Sequence, residues 1–366
     1  MNVSGEVFAS SQLLVRDMGE EFTRTLRRRA GLEALAGGGA AGPVVDAGGM
    51  TSALGYAQQR ASGTLANQVF SADLNVPVVP VETAPPPGYG VWAGVFGRAS
   101  DYDASRGAGE VDNDLYGFAA GVEGSFDWLG GASVVGLAGG YSHGEADVAA
   151  RFSEADADAW HLGLYGSTAL GGLQLAAAVA YASYDLSLEE RLGGAGFGLG
   201  RADRDADSVS FSGEAAYDIG LGGLGLGEGV VVSPLATLDA TWASFDGLQQ
   251  GGVGGLSLRG SEADYDSVVG GLGGRAGYRG EWFAAEVRAQ WRHQFGDEVA
   301  TQVLRLAGTG AARSVVSPSS GEDWLEVGVG VGASVTPLVS VTARYDGAFG
   351  GDFTSHAGSV TVGVKF

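Results

Sequence analysis

Four arginines crowd into one short stretch, at Arg24, Arg27, Arg28 and Arg29, with Arg16 two turns upstream. Guanidinium groups taken out of water must be met by carboxylates or phosphates. A formal charge of −22 argues against a nucleic-acid partner, which needs basic patches. Carboxylates remain, and the chain from residue 88 onward supplies them in alternating segments. One face of those segments carries Glu123, Glu214, Asp218, Glu286, Arg288, Arg292, Glu326 and Arg344, together with Asp346 and Lys365. Such a face is tolerable only if it is hydrated or paired. The expected chemistry is ion pairing between a basic helix and an acidic wall.

Catalysis finds little support. The four histidines, His143, His161, His293 and His356, are scattered, and a triad needs a base held by an acid beside a serine. With so many serines and aspartates a chance trio carries no signal, so no enzyme is expected. His143 beside acidic loop residues is the faint exception. The stretch GLGGLGLGEG (220–229) imitates a dinucleotide fingerprint but lies in a turn with no helix after it. The acidic stretches DYD (101–103), EADADA (154–159) and RADRDADS (201–208) match no calcium loop. They read as a hydrated acidic rim, with divalent ions bridging to lipopolysaccharide as the weaker reading. There are no cysteines, which excludes disulfides and thiolate metal sites. No catalytic, cofactor or metal residue is assigned.

Three zones position these groups. Residues 1–31 read as a helix. Ser4 serves as N-cap, Leu14, Met18, Phe22 and Leu26 form a stripe, the arginines complement the dipole of the last turns, and Gly31 is the stop. Residues 32–87 are a Gly/Pro-rich connector ending on VPVVPVETAPPPG, with a short helix possible at Met50 to Arg60. From 88 to 366 the period becomes two. About twelve strands are expected, at 88–101, 114–127, 131–146, 156–170, 172–187, 206–219, 229–246, 262–279, 281–296, 321–336, 338–349 and 354–366. Most exceed the strand length usual in soluble sheets and suit a tilted crossing of a bilayer.

Connections alternate between tight turns and long Gly/Asp/Ser-rich loops at 102–113, 147–155, 188–205, 247–261 and 297–320. That alternation is the pattern of an outer-membrane barrel, with the long loops at the cell surface. A soluble β-sandwich or β-helix also alternates. Strand length and the aromatics at strand ends (Phe126, Trp128, Trp160, Trp291 and Phe366) favour the barrel. No run of apolar residues is long enough for a transmembrane helix, and Met1 opens no signal peptide, so export would require sequence upstream.

Two stretches resemble the type V autotransporters. GYGVWAGVFGRASDYDASRGAGEVDNDLYGFAAGVEGSFD (88–127) is similar to the start of their β-domain, and SGEVFASSQLLVRDM…TLRRRAG (4–31) to the segment just upstream. The terminal SVTVGVKF, with Val362, Val364 and Phe366, resembles the assembly signal of outer-membrane barrels generally. The resemblance implies an all-β transmembrane barrel of about twelve antiparallel strands with the N-terminal helix inside the lumen as a pore plug. It implies a translocator that anchors in the outer membrane and exports its own N-terminal passenger, which is absent here. Implied partners are the barrel-assembly machinery, periplasmic chaperones, outer-membrane lipid and lipopolysaccharide. Some members cut their linker in the barrel using an asparagine and an acid. Here Asn2 is the only asparagine of the helical segment, and no diagnostic pair appears. The rival readings are a free-standing porin, which needs an open lumen, and a surface adhesin acting through its loops.

Overall fold

In this computed structural model the described residues are 4–36, 88–128, 131–148, 151–191, 198–221, 229–279 and 282–366. Among these residues the long helix α1 (Val7–Ala36) precedes twelve long strands. In chain order these are β1 (Gly88–Tyr102), β2 (Val111–Trp128), β3 (Gly131–Val148), β4 (Ser153–Leu170), β5 (Leu173–Arg191) and β6 (Leu199–Tyr217). β7 (Val230–Phe245), β8 (Ala263–Arg279), β9 (Phe283–Gln294), β10 (Asp323–Thr336), β11 (Val339–Gly350) and β12 (Phe353–Lys365) complete the set. Every strand pairs antiparallel with its chain neighbour, and β12 pairs back onto β1. Twelve strands were expected, and the closed antiparallel barrel agrees.

The closing seam joins the last strand to the first. Val91 lies opposite Val364 and Phe96 opposite Ser359. The Phe366 amide donates to the Tyr89 carbonyl at 3.0 Å, and the Tyr89 amide returns a bond to the Phe366 carbonyl. No edge is left to seek hydrogen bonds in hydrocarbon. Val360, Val362, Val364 and Phe366 face outward.

The period of two sorts the side chains between two environments. Outward positions carry Val95, Val122, Leu137, Leu162, Leu164, Leu272, Val287 and Val331. Aromatic residues bracket this apolar band. Phe126, Trp128, Trp282 and Phe366 stand at the short-turn end, and Tyr116, Trp160, Trp242 and Trp291 toward the long-loop end. On β2 the two girdles are about ten residues apart, which spans the ~25 Å apolar band of a membrane barrel.

Three long loops are more ordered than expected. Much of 188–205 is strand, because β5 and β6 run on to Arg191 and Leu199. Residues 248–249, 258–260, 301–306 and 312–316 build a separate four-stranded sheet over the long-loop end. Its Leu258 and Leu304 are buried against the entry to α1. The loop reading of 297–320 is corrected accordingly: along TQVLRL exposed and buried positions alternate, with Gln302 and Leu304 inward, as in a half-buried strand.

Helix α1 runs inside the barrel, and every residue from Ser4 to Ala30 is buried. It continues past Gly31, the expected stop, because the LEALA that follows consists of good helix formers. Residues 37–87, most of the connector and the short helix suggested near Met50, lie outside the described residues.

Candidate functional site

The lumen and its helix form one site, built from two kinds of wall. Toward β3–β6, where α1 lies closest, the barrel offers small residues. The stripe Leu14, Met18, Phe22 and Leu26 presses onto Gly144, Gly140 and Gly163. A Cβ on Gly140 would sit 2.6 Å from Phe22 Cε2, and one on Gly163 would sit 2.5 Å from Leu26 Cδ1. The Phe22 ring stacks on His161 at 4.5 Å, and Ser142 Oγ lies 2.7 Å from His161 Nε2. On the helix side, Gly19 lets the backbone close on Ser210, Ser208 and Tyr184.

Elsewhere the wall is charged. Arg24 lies 3.2 Å from Asp239 Oδ2 and 3.6 Å from Glu326 Oε2. Arg27 pairs with Glu214 and donates from Nε to Ser212 Oγ at 2.7 Å. Arg28 meets Asp346 at 3.2 Å. Arg29 grips both oxygens of Glu123, at 2.7 and 3.2 Å, while its guanidinium covers the Trp92 ring. That carboxylate also accepts from the Tyr165 hydroxyl at 2.7 Å, and Tyr165 in turn accepts from Trp92 Nε1 at 2.6 Å. Within the wall, Arg275 and Arg288 also reach Glu214, Arg292 reaches Asp239 at 2.5 Å, and Arg344 bridges Glu286 and Asp346. Buried charges persist only when paired this way.

Higher in the lumen Arg16 bonds Asp17 and the hydroxyls of Tyr102 and Tyr265. Asp17 also accepts from Tyr102 and Asn113, and Arg98 approaches it at 3.5 Å. At the mouth Glu190 accepts the amides of Ser4 and Gly5 at 2.7 and 3.1 Å. Glu6 accepts from the Gly109 amide and from Arg151. Ser4 therefore does not cap the helix: its hydroxyl donates to Glu190. The arginines do not sit in the last turn either, because the helix runs on to Ala36. Wall carboxylates, not the helix dipole, hold them.

Among the described residues, the cavities lined by the helix arginines are small. A cavity beside Arg24 and Glu326 has about 30 Å³, and one beside Arg27 and Glu286 about 20 Å³. Each admits a water molecule or so.

Comparison with known proteins places this arrangement. The family model described as "Autotransporter beta-domain" matches residues 91–346. The chain belongs to the autotransporter β-domain family. It is similar to the translocator domain of the autotransporter NalP from Neisseria meningitidis, with a TM-score of 0.67 at 13% identity, covering 99% of this chain and 100% of that one. The β-domain of the Bordetella autotransporter BrkA matches with a TM-score of 0.58 at 19% identity, over 76% of this chain and 100% of the other. An extracellular serine protease of Serratia marcescens is 27% identical over 268 residues. Those residues are 70% of this chain but 24% of that protein, so the chain spans about a quarter of that relative. The barrel is the outer-membrane translocator unit of an autotransporter, and export of a passenger is the role of this family.

The charged residues assigned to the inward face of the strands from the sequence, from Glu123 to Asp346, line the lumen of this translocator. Arg24, Arg27, Arg28 and Arg29 meet Glu123, Glu214, Glu326 and Asp346. Arg288, Arg292, Arg344, Asp218 and Glu286 pair within the wall. Sequence reasoning missed Asp239, although Trp242 outward fixes Asp239 inward by strict alternation. It also missed Arg98, because Trp92 and Phe96 make both faces of β1 apolar. Tyr165 and Glu190 carried no signal beyond their register.

Proposed function

We propose that α1 is the pore plug of this translocator: the passenger passes upstream of it, and the helix then keeps the lumen shut. The observation that carries this is a helix buried in the lumen at every residue from Ser4 to Ala30 and paired to the wall through four arginines. A free-standing porin needs an open lumen, which this filling opposes. On this reading the long loops and their four-stranded sheet face the cell surface, and the short turns face the periplasm. Lipopolysaccharide and outer-membrane lipid surround the wall, periplasmic chaperones deliver the chain, and the barrel-assembly machinery reads Val362, Val364 and Phe366. The barrel performs no catalysis of its own. Planar-bilayer recording tests the plug. The full chain should show small conductance, and a chain lacking residues 1–36 a large and steady one. Equally small conductance in both would overturn it.

A further inference from the structure

The outer wall changes character abruptly near the long-loop end. On β3 the outward series runs Leu137, Gly139, Tyr141, His143, Glu145, Asp147. On β4 it runs, in the same direction, Leu164, Leu162, Trp160, Asp158, Asp156, Glu154. His143 and Asp158 are cross-strand partners at the step from aromatic to acidic, with His143 Nδ1 2.8 Å from Asp158 Oδ1. Tyr141 donates to the same carboxylate oxygen at 2.5 Å, and the Tyr116 ring lies 5.4 Å from the imidazole.

The arrangement recurs on the opposite side of the barrel, six strands away. His293 on β9 pairs with Asp323 on β10, again with Nδ1 2.8 Å from Oδ1. Trp291 and Phe295 flank this ring at 5.6 and 4.7 Å. Both copies read aromatic–x–His on one strand against Asp–x–apolar on the next. Both imidazoles are 28% exposed. Exposed ion pairs add little stability, so folding does not account for the repetition. A carboxylate on Nδ1 fixes the ring and leaves Nε2 as its one free polar atom. That atom stands where the aromatic girdle ends, which is the level of lipid headgroups.

We propose that His143 and His293 are headgroup contacts, each an imidazolium that donates its Nδ1–H to the aspartate and its Nε2–H to a phosphate of an outer-leaflet phosphorylated glycolipid. This rests on the reading that the acidic end faces the cell surface. Glu145 and Asp156 stand above His143 and repel a bare phosphate, so the phosphate arrives with its divalent counterion. The contact fixes the depth of the barrel at two opposed points.

The test uses the full chain, labelled with ¹⁵N in its four imidazoles, in phosphatidylcholine nanodiscs containing magnesium. Adding diphosphoryl lipid A should move the Nε2 signals of His143 and His293 and leave lumenal His161 in place. A full chain carrying His143→Ala and His293→Ala should retain about fivefold less lipid A through purification, the loss expected for hydrogen bonds of ordinary strength. Three results would overturn the proposal: unmoved signals, equal movement with dephosphorylated lipid A, or equal movement with inorganic phosphate alone. If the double variant fails to fold, the nanodisc spectra of the unaltered chain still decide. Orientation is checked separately by labelling Arg106→Cys on whole cells with an impermeant thiol reagent. No labelling sinks the surface-facing reading, whereas labelling with unmoved histidines sinks this proposal alone.

Discussion

Helix α1 meets two walls that hold it by different physics. Toward β3–β6 the fit is one of shape, because glycines at 140, 144 and 163 leave room for Leu14, Met18, Phe22 and Leu26. Across the lumen the fit is one of charge, with Asp239, Glu326 and Asp346 receiving guanidinium groups. Shape complementarity decays within an ångström and fixes which side the helix leans on. Charge pairing in a low dielectric reaches further and penalises every register that leaves a partner alone. The apolar wall therefore sets orientation, and the acidic wall sets depth.

The charged wall should break hardest. Asp239 serves Arg24 from the helix and Arg292 from the barrel, and it accepts from Ser212 at 2.5 Å. Asp239→Ala removes the nearest carboxylate from two buried guanidinium groups and leaves them the more distant Glu326, at 3.6 and 3.9 Å, a loss of about 3–5 kcal/mol. The temperature at which the heat-modifiable band shifts should drop sharply, and bilayer recordings should gain large openings. A variant as heat-stable and closed as the parent would show that depth is set elsewhere.

The apolar wall should yield next. Phe22 fills the space between Phe96, His161 and Gly140. Phe22→Ala should cost about 3–4 kcal/mol through the cavity it leaves. Because the ion pairs remain, openings should be brief rather than sustained. Sustained openings equal to those of Asp239→Ala would remove the distinction between the two walls.

How much of this was legible before the structure follows from the same contrast. Strand number, the closing seam and the inward charges on β6, β9, β10 and β11 follow from a period of two. Burial on one face enforces that period in Val327, Val329 and Val331 as it does in Ser208, Ser210 and Ser212. The shape-fitted wall was not legible. Nothing in Gly140 or Gly163 announces the side chain that needs the room, because that side chain is more than a hundred residues away. The end of α1 was misjudged for a related reason. A lone glycine lowers helix propensity by about 1 kcal/mol, too little to stop a helix that surrounding strands already enclose. Depth also escaped, since Arg24 to Arg29 find their carboxylates on five different strands only after closure.

The finest test compares two glycines at the shape-fitted contact. A Cβ on Gly140 meets backbone, the Phe118 carbonyl oxygen at 2.5 Å, as well as the Phe22 ring at 2.6 Å. Backbone in a closed barrel cannot yield cheaply, so Gly140→Ala should lose about 1–3 kcal/mol. A Cβ on Gly19 meets first the Ser210 hydroxyl at 2.6 Å, the free end of a side chain that can rotate away. Replacing a mid-helix glycine with alanine also returns about 1 kcal/mol of helix propensity. Gly19→Ala should therefore be within about 1 kcal/mol of the parent in thermal melts of the reconstituted chain. If Gly19→Ala proved the more damaging of the two, the helix would be held against β6 by backbone proximity. The apolar stripe would then be filling space rather than setting orientation.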